Sequence, residues 1–231
     1  MQGEPLGIAT VWQLGPVAIT ATVVTTWVIM ATLGLLSVLL TRRLSLRPGV
    51  LQTAIEGVVV TLEAAIAAVA PAQARHMLPL IGTLWVFLVV ANLAGLIPGV
   101  HSPTGDLSAT AALALLVFLS VHWFGIRAQG LRAYLRHYLS PSPILLPFHL
   151  ISEITRTVAL AVRLFGNIMS LEMAALLILL VAGFLVPIPI LMLHIIEALV
   201  QAYIFGMLAL IYIAGGLEAQ QRTAVQNKET P

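Results

Sequence analysis

Arg163, Asn167 and Glu172 share one otherwise apolar stretch, and His194, Glu197 and Gln201 share the next. A guanidinium that never loses its charge, carboxylates and an imidazole are groups that attract, bind and release ions. Ionisable groups inside apolar spans usually mark a transport path. Their spacing sharpens this reading. Arg163 and Asn167 are one helical turn apart on the same face. Arg163 and Glu172 are nine residues apart, which is about 900° of helix, half a turn net, and ~13.5 Å along the axis. They point to opposite faces and cannot neutralise each other on their own helix. Each needs a partner elsewhere, or water. His194, Glu197 and Gln201 fall at spacings of three and seven on one face of their helix, spread over about 10.5 Å. Three polar groups so aligned suit a hydrated path on which the imidazole exchanges protons. A single His in this group does not make a metal site.

The elements that must position these residues are membrane helices. Of the 231 residues, 60% are hydrophobic and 9% charged, against about 25% charged in ordinary globular chains. So few charges cannot build a water-soluble surface, and lipid must be the solvent. There is no cysteine, which excludes disulfides and thiolate metal sites. The net charge of +2 gives no reason to expect a nucleic-acid partner. The first sixteen residues contain Glu4 and no Lys or Arg, so they lack the basic start of a cleaved signal peptide.

A hydrocarbon layer of about 30 Å takes roughly 20 helical residues. The apolar runs 17–40, 78–97, 109–126, 157–186 and 188–215 predict five membrane-embedded helices within a single membrane domain, the last two divided by Pro187 and Pro189. In 49–70, Gln52, Glu56 and Glu63 form one polar stripe on an apolar helix. Carboxylates facing lipid are costly, so this segment is expected to lie at the membrane surface as an amphipathic helix. The fold class is therefore all-α and integral to the membrane.

Arg42, Arg43, Arg47 and Arg75 lie between the first and second spans, and Arg127, Arg132 and Arg136 between the third and fourth. Arg222 and Lys228 lie in the C-terminal tail. The N-terminal segment and the loop from Pro98 to Ser108 contain no Lys or Arg. This asymmetry predicts an outside N-terminus and a cytoplasmic C-terminus. Only Arg156 and Arg163 remain. Arg156 follows Glu153 by three positions, the spacing of an interfacial ion pair, whereas Arg163 is deeper, with apolar turns on both sides.

The run Ala161-Val-Arg163-Leu-Phe-Gly-Asn167, followed by Glu172, resembles the signature of subunit a of F-type rotary ATP synthases. His194 and the run Gln201-Ala-Tyr-Ile-Phe205 resemble the same family, as do Asn92-Leu-Ala-Gly-Leu-Ile-Pro98 and Asp106. The likeness extends from about Leu78 onward, and the chain resembles the compact variants. The resemblance implies that the last two helices are long, tilted and set against a ring of c subunits, with b-type peripheral stalk subunits as further partners in a bacterial inner membrane. It implies that Arg163 faces the ring, with Asn167 beside it, and that Glu172, His194 and Gln201 line two aqueous half-channels. Some members carry Glu where this chain has His194, and here Glu197 adds a carboxylate one turn away.

Two offset half-channels would couple ion translocation to rotation of the ring. The chain itself would make and break no bond and would need no cofactor. Protons are the usual ion of the family, and sodium is the alternative that this sequence leaves open. A secondary transporter holding a small anion on Arg163 would need helix breaks near the midplane, and none is apparent in the Arg163 segment.

Overall fold

The computed structural model describes residues 10–14, 17–42, 49–97, 100, 102–132, 134–135, 144, 146–182 and 187–229. Six helices dominate: α1 (Ala21–Thr41), α2 (Val50–Val69), α3 (Ala74–Ala94), α4 (Leu107–Gln129), α5 (Leu146–Ala182) and α6 (Pro187–Glu229). All six are long and apolar enough, by length and composition, to cross a membrane. They include α2, the segment expected at the surface. One 3-10 turn, Pro103–Gly105, lies between α3 and α4.

The helical class carries one addition and several shifted ends. Val17–Thr20 is not the start of the first helix. It is a strand, β2, paired antiparallel with β1 (Thr10–Leu14). Both strands are rich in Val, Ile, Thr and Trp, which favour extended backbone. α4 begins at Leu107 because Asp106 caps it, accepting the Ser108 backbone N–H at 2.9 Å. It ends at Gly130, whose φ of 82° suits glycine.

α5 starts at Leu146 rather than Thr157, with Pro147 in the first turn, where its missing N–H costs nothing. α6 starts at Pro187 for the same reason and runs through Gly215 and Gly216 to Glu229. The expected helix end at Val186 lies outside the described residues, as do Arg43, Arg47 and Arg136. The apolar part of α5, Leu146–Ile178, is about 50 Å long at 1.5 Å per residue. That exceeds a hydrocarbon layer of about 30 Å, so a crossing helix of this length tilts.

The core is shared among five helices, α2 contributing the fully buried Ile66. Met77, Ile81, Trp85 and Leu88 of α3 meet Ala202, Phe205, Ala209 and Ile213 of α6, with Val117 of α4 and Leu164 of α5 closing the cluster. Small residues dominate the α6 contact face: Ala198, Ala202, Gly206 and Ala209 are all buried. Lipid tails are as apolar as leucine, so close backbone approach through small residues drives such packing. Many large apolar side chains face outward instead, including Leu35, Val60, Leu119, Val158, Leu176 and Ile196. In water this would be an aggregation hazard, and in lipid it is a matched surface.

Candidate functional site: a polar ladder between α3, α5 and α6

The polar residues of α5 and α6 meet a third set from α3 and the turn that follows it. Asn92, fully buried, is the hub. Its Nδ2 donates to the Ala198 carbonyl of α6 at 3.0 Å, and its Oδ1 accepts from Thr104 Oγ1 at 2.7 Å. Thr104 in turn lies 2.7 Å from Ser102 Oγ, which donates to the Ala91 carbonyl at 2.9 Å. The turn 102–105 is thereby stitched into the end of α3. Both turn hydroxyls donate to acceptors of α3, Ser102 to Ala91 and Thr104 to Asn92.

His194 and Gln201 are buried on the α6 face that meets this hub. Nε2 of His194 lies 3.4 Å from the Asn92 backbone carbonyl. A carbonyl only accepts, so this nitrogen carries the proton in that contact. Gln201 Oε1 accepts from Asn167 Nδ2 at 2.8 Å, which ties α6 to α5. The other Gln201 atom, Nε2, is buried without a hydrogen-bond partner among the described residues.

Glu172, half-buried, reaches the turn from α5. A Cβ placed on Gly95 would lie 3.2 Å from Glu172 Oε1, and one on Gly105 would lie 3.0 Å from its Oε2. Both glycines leave the room that the carboxylate occupies. Glu197 is half-buried, one turn from His194.

Arg163 stands apart. It is exposed, and no ion pair holds it among the described residues. Leu160, Leu164 and Ile168 are buried on one flank of Arg163's helix, while Val158 and Val162 are exposed on the other. Arg163 lies one turn before Asn167, so the guanidinium sits beside the α5–α6 seam sealed by the Asn167–Gln201 bond. Glu172 lies on another side of α5, against the 102–105 turn.

The structure thus joins Asn167 to Gln201, sets His194 on Asn92, and leaves Arg163 facing outward. Glu153, which spacing alone would pair with Arg156, meets His122 of α4 instead, while Arg156 lies over the Tyr212 ring. Sequence spacing missed the turn residues Ser102, Thr104 and Gly105 and the contact of Gly206 with Trp85. Their only local signal is a short polar and glycine-containing stretch without helical period.

Residues 23–214 match the family described as ATP synthase A chain. The chain belongs to that family. It is 72% identical over 214 residues to ATP synthase subunit a 1 of Hahella chejuensis, covering 92% of this chain and 91% of that one. It is 66% identical to ATP synthase subunit a 2 of Pelobacter propionicus, covering 95% and 96% of the two chains. ATP synthase subunit a of Legionella pneumophila strain Philadelphia 1 is 59% identical, with 91% and 92% covered. Membership in the ATP synthase A chain family gives the chain a membrane-sector role in ATP synthesis and ion transport. The matched region contains α2 to α5, the 102–105 turn, and every member of the ladder.

Proposed function

We propose that the chain is the stationary half of a rotary proton path, with two offset half-channels that exchange protons with a turning ring of c subunits. The observation that carries this reading is Arg163: an outward guanidinium without an ion pair among the described residues, one turn from the part-buried Asn167–Gln201 bond. Two half-channels must not connect directly, or protons would cross without turning the ring. A fixed positive charge at the junction attracts a ring carboxylate in its ionised form and disfavours a loaded one. Guanidinium suits this task because it stays charged. The exposed stripe of Val158, Val162 and Arg163 on α5, continued by Val200 and Tyr203 on α6, is the face toward the ring.

Glu172, His194, Glu197 and Gln201 serve the half-channel on the side of the 102–105 turn. The imidazole of His194 passes protons, and this favours protons over sodium as the coupling ion. No covalent chemistry falls to this chain. The b-type stalk subunits hold it still against the ring, in a bacterial inner membrane.

α2 lies along the membrane surface, where Glu56, which accepts from Gln52 at 2.7 Å, and Glu63, 3.9 Å from Arg75, keep their charges in water.

Two measurements check this arrangement in the assembled complex. Glu172→Cys and His194→Cys should lose proton conduction on treatment with silver ions, whereas Leu177→Cys, exposed to lipid, should be indifferent. Silver insensitivity at both polar positions would remove the hydrated path. Leu107→Cys and Ala128→Cys, at opposite ends of α4, should label from opposite faces of the membrane, Leu107→Cys from the outside. Labelling of Leu107→Cys from the cytoplasmic face would invert the proposed orientation.

A further inference from the structure

A second cluster of polar groups lies away from the ladder, where α4, α5 and α6 meet. His122 Nε2 of α4 is 3.3 Å from Glu153 Oε2 of α5. Nδ1 of the same imidazole is 2.8 Å from the Phe118 carbonyl, one turn back on α4. That second contact decides the chemistry of the first. A carbonyl can only accept, so Nδ1 must carry a hydrogen. A neutral imidazole would then turn its bare Nε2 lone pair toward a carboxylate oxygen, and two acceptors would face each other. The 3.3 Å approach is electrostatically favourable only when one further proton is present, on Nε2 as imidazolium or on Glu153 as carboxylic acid. The geometry therefore describes a site for one proton shared across the α4–α5 gap.

The surroundings fit such a site. His122, Glu153, Arg156, Thr157, Leu160 and Tyr212 line a pocket of about 20 Å3, room for a single water. The His122 and Glu153 side chains are 27% and 21% exposed, and the Glu153 Oε2 atom that meets His122 is itself buried, so the pair is largely shielded from bulk water. Among the described residues, the charged and titratable groups near the pair are Arg156 of α5, whose guanidinium lies 4.7 Å from the centre of the Tyr212 ring of α6, and Tyr134, whose ring centre lies 5.9 Å from that of His122. His149 lies one turn earlier on α5. The pair lies at the end of α4 that bears Arg127. Glu153 is ten residues before Arg163, about 15 Å along α5.

We propose that His122 and Glu153 form a proton-binding site through which protons pass between the path beside Arg163 and water on the arginine-rich side. The role in the path rests on the function proposed above, and the binding of one proton rests on geometry alone. Loading forms one N–H or O–H bond with a proton taken from hydronium in the pocket, leaving water. Unloading breaks that bond and returns the proton to water as hydronium. Arg156, held over Tyr212, keeps a fixed positive charge in the same pocket.

The test uses the complete ATP synthase complex carrying His122→Gln, Glu153→Gln or both, since Gln keeps size and polarity. Nitrogen-15 spectra should show the Nε2 signal of the His122 ring change in Glu153→Gln. This readout does not depend on pumping, so it separates the site from the half-channel reading. In vesicles, ATP-driven pumping should fall several-fold in each single variant. Its dependence on pH at the arginine-rich face should flatten, with the double variant no worse than either single one. A purely structural pair would lower the amount of complex without changing the shape of the pH profile. A His122 ring that does not respond to Glu153→Gln would overturn the shared-proton site. An unaltered pH profile in both single variants would overturn its place in the path, whatever the outcome for Arg163.

Discussion

Arg163→Ala is expected to reduce ATP-driven proton pumping and ATP synthesis to background while the complex still assembles. The side chain faces outward and takes part in no ion pair of its own chain among the described residues, so its removal breaks no ion pair there. The neighbouring Asn167–Gln201 bond and the buried face of Leu160, Leu164 and Ile168 stay in place. What is lost is the charge. At an effective dielectric of 20, opposite charges 4 Å apart attract by about 4 kcal/mol. That corresponds to about a thousandfold bias toward an ionised carboxylate at the junction. Without it, the ring can pass the seam with its carboxylates loaded, and protons can leak without coupled work. Arg163→Lys should also fail in coupling, because an ammonium loses its proton more readily when desolvated and presents no planar fork. Ion uptake by reconstituted vesicles, with subunit content checked separately, measures this. Coupled pumping near the wild-type rate in Arg163→Ala would sink the proposed function.

Much of the helical frame is legible in the sequence because lipid imposes a single rule over long stretches. A run of about 20 apolar residues has one satisfactory structure in a bilayer. The errors fall where that rule gives way to local chemistry. Val17–Thr20 is apolar enough to continue a span, yet it pairs with Thr10–Leu14 as a strand. The first turn of α4 is set by the Asp106 carboxylate, which no hydropathy pattern registers. α5 begins eleven residues before its expected start, because Pro147 is harmless in a first turn and nothing after it breaks the helix.

The candidate site divides along the same line. Shared helical faces follow from spacing, which sets Asn167 one turn from Arg163 and Gln201 two turns from His194. Contacts between elements do not follow from spacing. Asn92 meets Ala198 across 106 positions and Asn167 meets Gln201 across 34. Neither pairing has a local signature. The room that Gly95 and Gly105 leave for Glu172 is visible only once the 102–105 turn is folded against α5.

Gly206→Ala is expected to be damaging out of proportion to its single added methyl group, and the reason lies in one aromatic seat. Trp85 of α3 is 5% exposed, its Nε1 donates to the Tyr203 carbonyl of α6 at 3.3 Å, and its ring is parallel to that of Tyr203. The indole lies over Gly206 so closely that a Cβ there would fall within Nε1 and Cδ1 of the five-membered ring. Neither the α6 backbone nor the indole can yield a little to make room. The Trp must leave its seat or α3 must move away from α6. Overpacking costs about 1–3 kcal/mol, and the lost hydrogen bond adds about 1 kcal/mol. The damage also reaches the ladder, because α3 carries Asn92 and α6 carries Ala198 and His194, so separating the helices pulls their contacts apart. Gly206→Ala should therefore lower both the thermal stability of the purified complex and its proton pumping. Trp85→Leu removes the obstructing ring. On its own it should destabilise through the cavity it leaves, by less than the ~3–5 kcal/mol typical of a Trp→Ala change. Combined with Gly206→Ala, it should cost clearly less than the sum of the two single changes, since the new methyl group occupies space that the indole has vacated. Thermal stability of the four proteins gives the coupling directly. Strict additivity would show that Gly206 is not there to seat Trp85.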